Sequence, residues 1–283
     1  MNKPLDHGLE DHGSDQAIEH EAGIDFAALT EMNIPSLKGV VSDEEWEARV
    51  NLAATYRLVA DHGWTDMIYT HISARVPGHH DQFLLNPYGL LFEEITASSL
   101  VKVDTEGKIL QDTDFIVNAA GFTIHSAVHM NRDDAGCVIH LHTDDGVAVS
   151  AQAHGLLPIT QHSMMLQSHM AYHDYEGVAL NLDERERVVA DLGTKNLMLL
   201  RNHGTLSVGE TCADAFLGMF FLERSCTMQI KALSGGGALN SLHQGVPEKT
   251  AGQGHNLFDG GAGKLAWPAL LRKMDRLDSS FRT

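Results

Sequence analysis

Apolar positions along the chain switch between a period near 3.6 and a period of two, so helices and strands alternate. Ser42 and Glu45 make an S-x-x-E capping box ahead of Trp46, Val50, Ala53, Tyr56 and Val59. That spacing predicts a helix ending at His62-Gly63. Residues 67–76 and 82–85 then read as short strands bounded by Pro77-Gly78 and Pro87-Tyr88-Gly89 turns. Residues 101–103 and 108–110 form a predicted hairpin around Glu106-Gly107, and a further strand is expected near residues 115–117. Between 120 and 131, Phe122, Ile124, His125, Val128 and His129 fall on overlapping helical faces. His125 and His129, four apart, share one side.

A continuous apolar strand is expected over 137–141, running into Thr143-Asp144-Asp145, whose hydroxyl and acids suit a helix start; that helix should end near His154-Gly155. Strands are predicted at 157–160 and 177–180, and a helix capped by Asp183 and Glu186 reaches Leu192-Gly193. Strands at 197–200 and 205–208 flank the Arg201-Asn202-His203-Gly204 turn, and Thr211 opens a long helix to Leu233. Its stripe of Phe216, Met219, Phe220, Leu222 and Cys226 reads as core. Interleaved strands and helices of this kind predict one α/β domain over 41–233. An acidic N-terminal tail at 1–40 precedes it. A Gly-rich linker at 234–263 and a C-terminal helix within 264–283 follow.

Composition narrows the function. Apolar residues are 43% and charged residues 20% of 283, as in ordinary folded chains. Lys plus Arg number 20 against 38 acids, a net −18 that repels phosphate backbones and anionic lipid. Nucleic acid and membrane are therefore not expected partners. The start lacks a basic-then-apolar signal and no apolar run approaches a spanning helix, so the expected location is cytoplasmic. Cys137, Cys212 and Cys226 are too few and too scattered for a disulfide framework. What stands out is 18 His.

Two of them make the sharpest local motif. In His140-Leu141-His142, at the end of the apolar strand, residues two apart point to one face, so both imidazoles can reach a single ion. His203 follows a second apolar strand and sits beside Gly204, in a turn that exposes its side chain. Convergence of the two strand ends would give a three-histidine site with an open position.

The run 63–233 resembles the class II aldolase/adducin family. The segments Gly63-Trp64-Thr65, Ile95-Thr96-Ala97-Ser98-Ser99-Leu100-Val101-Lys102, Ala120-Gly121-Phe122-Thr123-Ile124-His125-Ser126-Ala127, Tyr172-His173-Asp174-Tyr175 and Arg201-Asn202-His203-Gly204 look most like its adducin branch. The resemblance implies an αβα three-layer sandwich around a central, largely antiparallel sheet, and a homotetramer. It also implies a divalent metal, usually zinc with manganese or iron as alternatives, held by His140, His142 and His203.

The resemblance also marks departures. The Glu that serves as base in the family's sugar-phosphate aldolases corresponds to Gly121, and two phosphate-holding serines to Ala119 and Ala120. A Gly-Asn pair of the phosphate site becomes Thr70-His71, and the turn beyond it reads Asn86-Pro87-Tyr88-Gly89. A non-phosphorylated small-molecule substrate follows, with Tyr88 and Phe122 as apolar walls and His71 as a contact. His162 and His125 are the candidates for proton transfer. The implied activity is a metal-dependent lyase that breaks a carbon–carbon bond, by aldol cleavage or decarboxylation, through a metal-stabilised enolate. The alternative is a non-catalytic, adducin-like scaffold. Around Trp267 and 270–274, the C-terminal segment is expected either to cover a neighbour's pocket or to pack.

Overall fold

A computed structural model of the chain describes residues 34–177, 183–258 and 261–283. Residues 1–33 of the tail expected at 1–40, and most of the strand expected at 177–180, lie outside the described residues. Helices are α1 (Asp43–Asp61), α2 (Ala119–Asn131), α3 (Asp144–Ser150), α4 (Gln161–Leu166), α5 (Glu184–Leu192), α6 (Cys212–Ser234), α7 (Val246–Phe258) and α8 (Ala262–Leu277). Strands are β1 (His71–Arg75), β2 (Gln82–Leu85), β3 (Val101–Asp104), β4 (Cys137–Leu141), β5 (Met170–His173), β6 (Leu197–Leu200) and β7 (Gly204–Gly209). They form one sheet in the order β3-β2-β1-β4-β7-β6-β5. Every pairing is antiparallel except β5 with β6, so the expected αβα sandwich with a largely antiparallel sheet is what forms.

The two-residue period of each strand decides which layer its side chains join. Ile72 and Ala74 of β1 and Cys137, Ile139 and Leu141 of β4 enter a core with α1, α6 and Trp267 of α8. Val138 of β4 and Leu206 and Val208 of β7 face the other way, against Ile124 and Val128 of α2 and Leu192 of α5. His71, Ser73 and His140 have the parity of this second face. The β1–β4 register sets His71 opposite His140 and Ser73 opposite Val138. A one-residue slip would send all of these polar groups into the α1 core.

Several boundaries follow their chemistry closely. Ser42 caps α1, its hydroxyl accepting from Glu45 N at 3.1 Å, and Thr211 caps α6. The hairpin is present, with Leu110 N donating to Lys102 O at 2.8 Å. Residues 157–160, expected as a strand, instead lead into α4, because Thr160 and Ser163 cap its first turn reciprocally. Residues 115–117 form no strand; Ile116 contributes one carbonyl, which accepts from Tyr88 N. β5 was not anticipated.

The stretch expected as a linker over 234–263 carries α7. Its Gly254 does not provide flexibility: a Cβ there would lie 2.1 Å from Met165 O, so the glycine permits close packing on α4. The C-terminal segment packs on its own chain rather than standing free. Trp267 Nε1 donates to Asn51 Oδ1 at 2.9 Å, and Phe281, fully buried, has a carbonyl that accepts from Ala97 N. No helix of the described residues is long and apolar enough to cross a membrane.

Candidate metal centre

His140 is the penultimate residue of β4, His142 follows the strand, and His203 stands in the turn that feeds β7. Their ring centroids are 4.7, 4.8 and 4.8 Å apart, and one nitrogen from each falls within 4.8 Å of the others. Gly204 allows this approach. A Cβ on it would sit 2.4 Å from Leu141 O and 3.0 Å from the His142 ring.

Outer hydrogen bonds fix the tautomers. His140 Nδ1 lies 3.0 Å from Thr205 O, and His142 Nδ1 lies 3.1 Å from Asp66 Oδ2. A carbonyl and a carboxylate only accept, so both Nδ1 atoms carry the hydrogen. That leaves the two Nε2 atoms turned toward one another, 2.9 Å apart. Burial, then the His203 and His142 imidazoles, push His140 well below the usual histidine range. Burial, then His142 and His173, lower His203 to about 4. Orientation of Nδ1–H by carbonyl and carboxylate acceptors, with the Nε2 atoms converging, is typical of metal-ligating histidines. The donor set therefore fits a divalent ion.

Behind the trio lies a carboxyl that sequence reasoning missed. Glu223 of α6 is 2% exposed and accepts from Thr205 Oγ1 at 2.6 Å and from the Thr143 hydroxyl. It ties the start of β7 to the Thr143 cap of α3, so one side chain braces both chain segments that carry the trio. Burial raises its pKa from 4.5 to about 7. The available signal was a carboxylate inside an otherwise apolar helical stripe.

Backbone strain concentrates at the same place. Among the described residues, the non-glycine positions with positive φ are Met67 (51°), Thr70 (68°) and Asn202 (58°). They adjoin Asp66, His71 and His203 respectively. Asn tolerates this region; Met and Thr occupy it at a cost of roughly 1–2 kcal/mol each.

The other candidates divide. His71 is 7% exposed; its ring is stacked at 19° on His140 with centroids 6.4 Å apart, and stands edge-on to His125 at 5.9 Å. It also fills the space beside Gly121, where a Cβ would meet the His71 ring at 2.3 Å. The imidazole thus occupies the volume that a side chain at 121 would need. His125 is buried beside it and hydrogen-bonds Ser73 Oγ at 2.6 Å. His162, in contrast, stacks on Phe221 of α6 at 5.1 Å, and among the described residues no hydrogen bond, ion pair or ring contact joins it to the trio. Phe122 packs with Phe83, Leu85, Val101 and Val103, with Arg185 5.0 Å over its ring. Tyr88 sits in the loop after β2, its amide bonded to Ile116 O. Tyr175, which sequence reasoning did not single out for a role, places a 52%-exposed ring 6.2 Å from His203.

The Class II Aldolase and Adducin N-terminal domain model matches residues 50–230. A Caulobacter vibrioides protein provisionally named for aldolase class 2 is 61% identical over 245 residues, covering 85% of this chain and 94% of that protein. Rat alpha-adducin is 44% identical over 197 residues, 69% of this chain but 27% of the adducin's length. The crystal structure of an aldolase II superfamily protein from Pseudomonas syringae superposes with a TM-score of 0.84 at 50% identity, covering 88% of this chain and all of that one. L-fuculose 1-phosphate aldolase from Glaciozyma antarctica gives a TM-score of 0.74 at 27% identity, covering 91% and 99%.

Proposed function

The chain belongs to the class II aldolase and adducin family, and from that premise we propose that it is a divalent-metal-dependent lyase breaking a carbon–carbon bond of a non-phosphorylated hydroxy-carbonyl or carboxylated small molecule. The observation that carries the reading is the convergence of three imidazoles, with the Nε2 atoms of His140 and His142 2.9 Å apart and His203 beside them. When bound there, the ion, zinc in this reading with manganese or iron as alternatives, supplies Lewis acidity toward a carbonyl oxygen.

The chain's own residues do the rest. Thr205 O and Asp66 hold the two imidazoles in the required tautomer. Glu223 braces the segments that bear them. His71 excludes solvent beside Gly121, where the family's sugar-phosphate aldolases place a carboxylate base. His125, held at about 3 by burial and by His129, stays neutral at working pH and acts as a hydrogen-bond partner. That supports decarboxylation, which needs no proton abstraction before the bond breaks, over aldol cleavage, which needs a base on a hydroxyl. His162 is the residue we assign to later protonation, Tyr88 and Phe122 to apolar walls, and the assembly to a homotetramer.

The second reading, a non-catalytic scaffold, draws on the likeness to alpha-adducin. One measurement separates the two. Metal analysis of the purified protein should find one divalent ion per chain, lost in His140→Ala and His203→Ala while the fold persists by circular dichroism. Protein that holds no ion, and takes up none on titration, refutes the lyase.

A further inference from the structure

On the α2 face of β1, beside the trio, a buried hydrogen-bond chain has only one consistent polarity. His129 Nδ1 lies 3.1 Å from Ala135 O, which can only accept, so that nitrogen carries the hydrogen. Burial, then the Arg75 charge, hold His129 at about 3, so its ring is neutral and its Nε2 is bare. Ser73 Oγ lies 2.7 Å from that Nε2 and must donate its single hydrogen there. The same oxygen lies 2.6 Å from His125 Nδ1, so it accepts, and His125 is protonated on Nδ1. The far end of the chain is His125 Nε2: a fixed acceptor, fully buried, with no partner among the described residues.

The His71 ring, 5.9 Å from that of His125, carries two more unpartnered atoms, and the residue before it carries a third. His71 Nδ1 and Nε2 and Thr70 Oγ1 are also buried without a hydrogen-bond partner. Together with His125 Nε2 they are four of the nine such atoms among the described residues. Each unsatisfied group costs on the order of 1–3 kcal/mol, so a cluster of them beside a candidate centre is a binding feature in want of its ligand. His125 Nε2 offers an acceptor, the His71 ring two further nitrogens, and the Thr70 hydroxyl can donate or accept. A phosphate dianion or carboxylate brings acceptors only and leaves the His125 nitrogen unmet. A hydroxyl both donates and accepts, and satisfies it. Of the three residues, only His71 retains any exposure, 7%, and it is the one facing His140.

We propose that Thr70, His71 and His125 form a subsite for a neutral hydroxyl of the substrate, adjacent to the metal centre, and that Ser73 and His129 are positioning residues that set its polarity. This deepens the reading above, on which only its ligand arm rests.

The test has two arms. The first is long-range proton–nitrogen NMR on histidine-labelled, metal-free protein. It should find His125 and His129 protonated on Nδ1, with Ser73→Ala releasing His125 toward Nε2–H. His125 already protonated on Nε2 in the unmodified protein overturns the proposal. The second is calorimetric binding of three small hydroxamates to zinc-loaded protein. Glycolohydroxamate, which carries the hydroxyl, should bind at least about fivefold tighter than acetohydroxamate, which lacks it. The phosphate ester of glycolohydroxamate should bind more weakly than the free alcohol, and Ser73→Ala should bring the fivefold preference close to one. A subsite that merely keeps a water shows no preference between the first two, and that result overturns the proposal, as does tighter binding of the phosphate ester. Failure to take up zinc refutes the metal reading instead, and the NMR arm on metal-free protein still decides the polarity of the chain.

Discussion

Glu223→Gln should make the protein more stable in alkali and leave it nearly unchanged in acid. Glu223 is enclosed by α6, Thr143 and Thr205, and burial raises its pKa from 4.5 in the unfolded chain to about 7 in the fold. The folded state therefore favours the protonated carboxyl. Its contribution is fully present below pH 4.5 and is lost as pH rises through 7. The gap of about 2.5 pH units, at about 1.36 kcal/mol per unit, corresponds to about 3 kcal/mol lost by pH 8 to 9. Glutamine has the shape of the protonated acid and no charge to bury. Its amide can donate to Thr205 Oγ1, which turns its own hydrogen to Leu141 O, 3.4 Å away.

The assay is thermal or urea unfolding of both proteins from pH 5 to 9 with a chelator present. Every other titrating group is common to the two and cancels in the difference. At pH 5 the curves should nearly coincide; at pH 8.5 the variant should be more stable by up to about 3 kcal/mol, roughly 6–12 °C in Tm for a chain of this size. A difference that does not change with pH would show that the carboxylate is not held in a low-dielectric site, and the account of Glu223 as a desolvated brace would fall with it.

Three further substitutions probe the site. Asp66→Asn removes the charged acceptor of His142 Nδ1–H and should weaken zinc affinity about 10- to 100-fold, read by competition with a chromogenic chelator, without loss of fold. Gly121→Ala forces a methyl to within 2.3 Å of the His71 ring. It should cost about 1–3 kcal/mol in urea unfolding and displace His71, seen as a shifted His71 resonance. Arg49→Ala leaves Glu45, Gln111 and the carbonyls of Ala97 and Leu100 without their buried guanidinium. About 3–5 kcal/mol should be lost in the same measurement.

What could be read from the sequence was whatever a local period or spacing encodes. His140-x-His142 projects from one face because of the strand period, and the two apolar runs ending near 141 and 200 bring His203 to it. The Gly204 constraint was visible as a turn. Its cause, clearance for Leu141 O and the His142 ring, needed the β4–β7 pairing. α7 was misread because glycine signals both flexibility and close approach, and only the contact of Gly254 with Met165 O distinguishes them. Residues 157–160 suit a strand by composition, but Thr160 caps the first turn of α4 together with Ser163 and so ends the extended stretch.

The partners that give the candidate site its chemistry are separated by registers that no local pattern reports. Asp66 and His142 are 76 positions apart, Ser73 and His125 are 52 apart, and Thr205 and Glu223 belong to a strand and a helix that meet only in the folded sheet. A single alignment, His71 opposite His140, places the β1 hydroxyl and imidazole on the α2 face. There the i, i+4 histidines of α2, already visible in the sequence, find Ser73 between them. Gly121 and His71 are then neighbours in space. Position 121 bears no side chain, and a ring from the neighbouring strand occupies the space one would need. Substituting either position alone should disturb the other, so the pair is expected to vary together if the site is rebuilt for a different ligand.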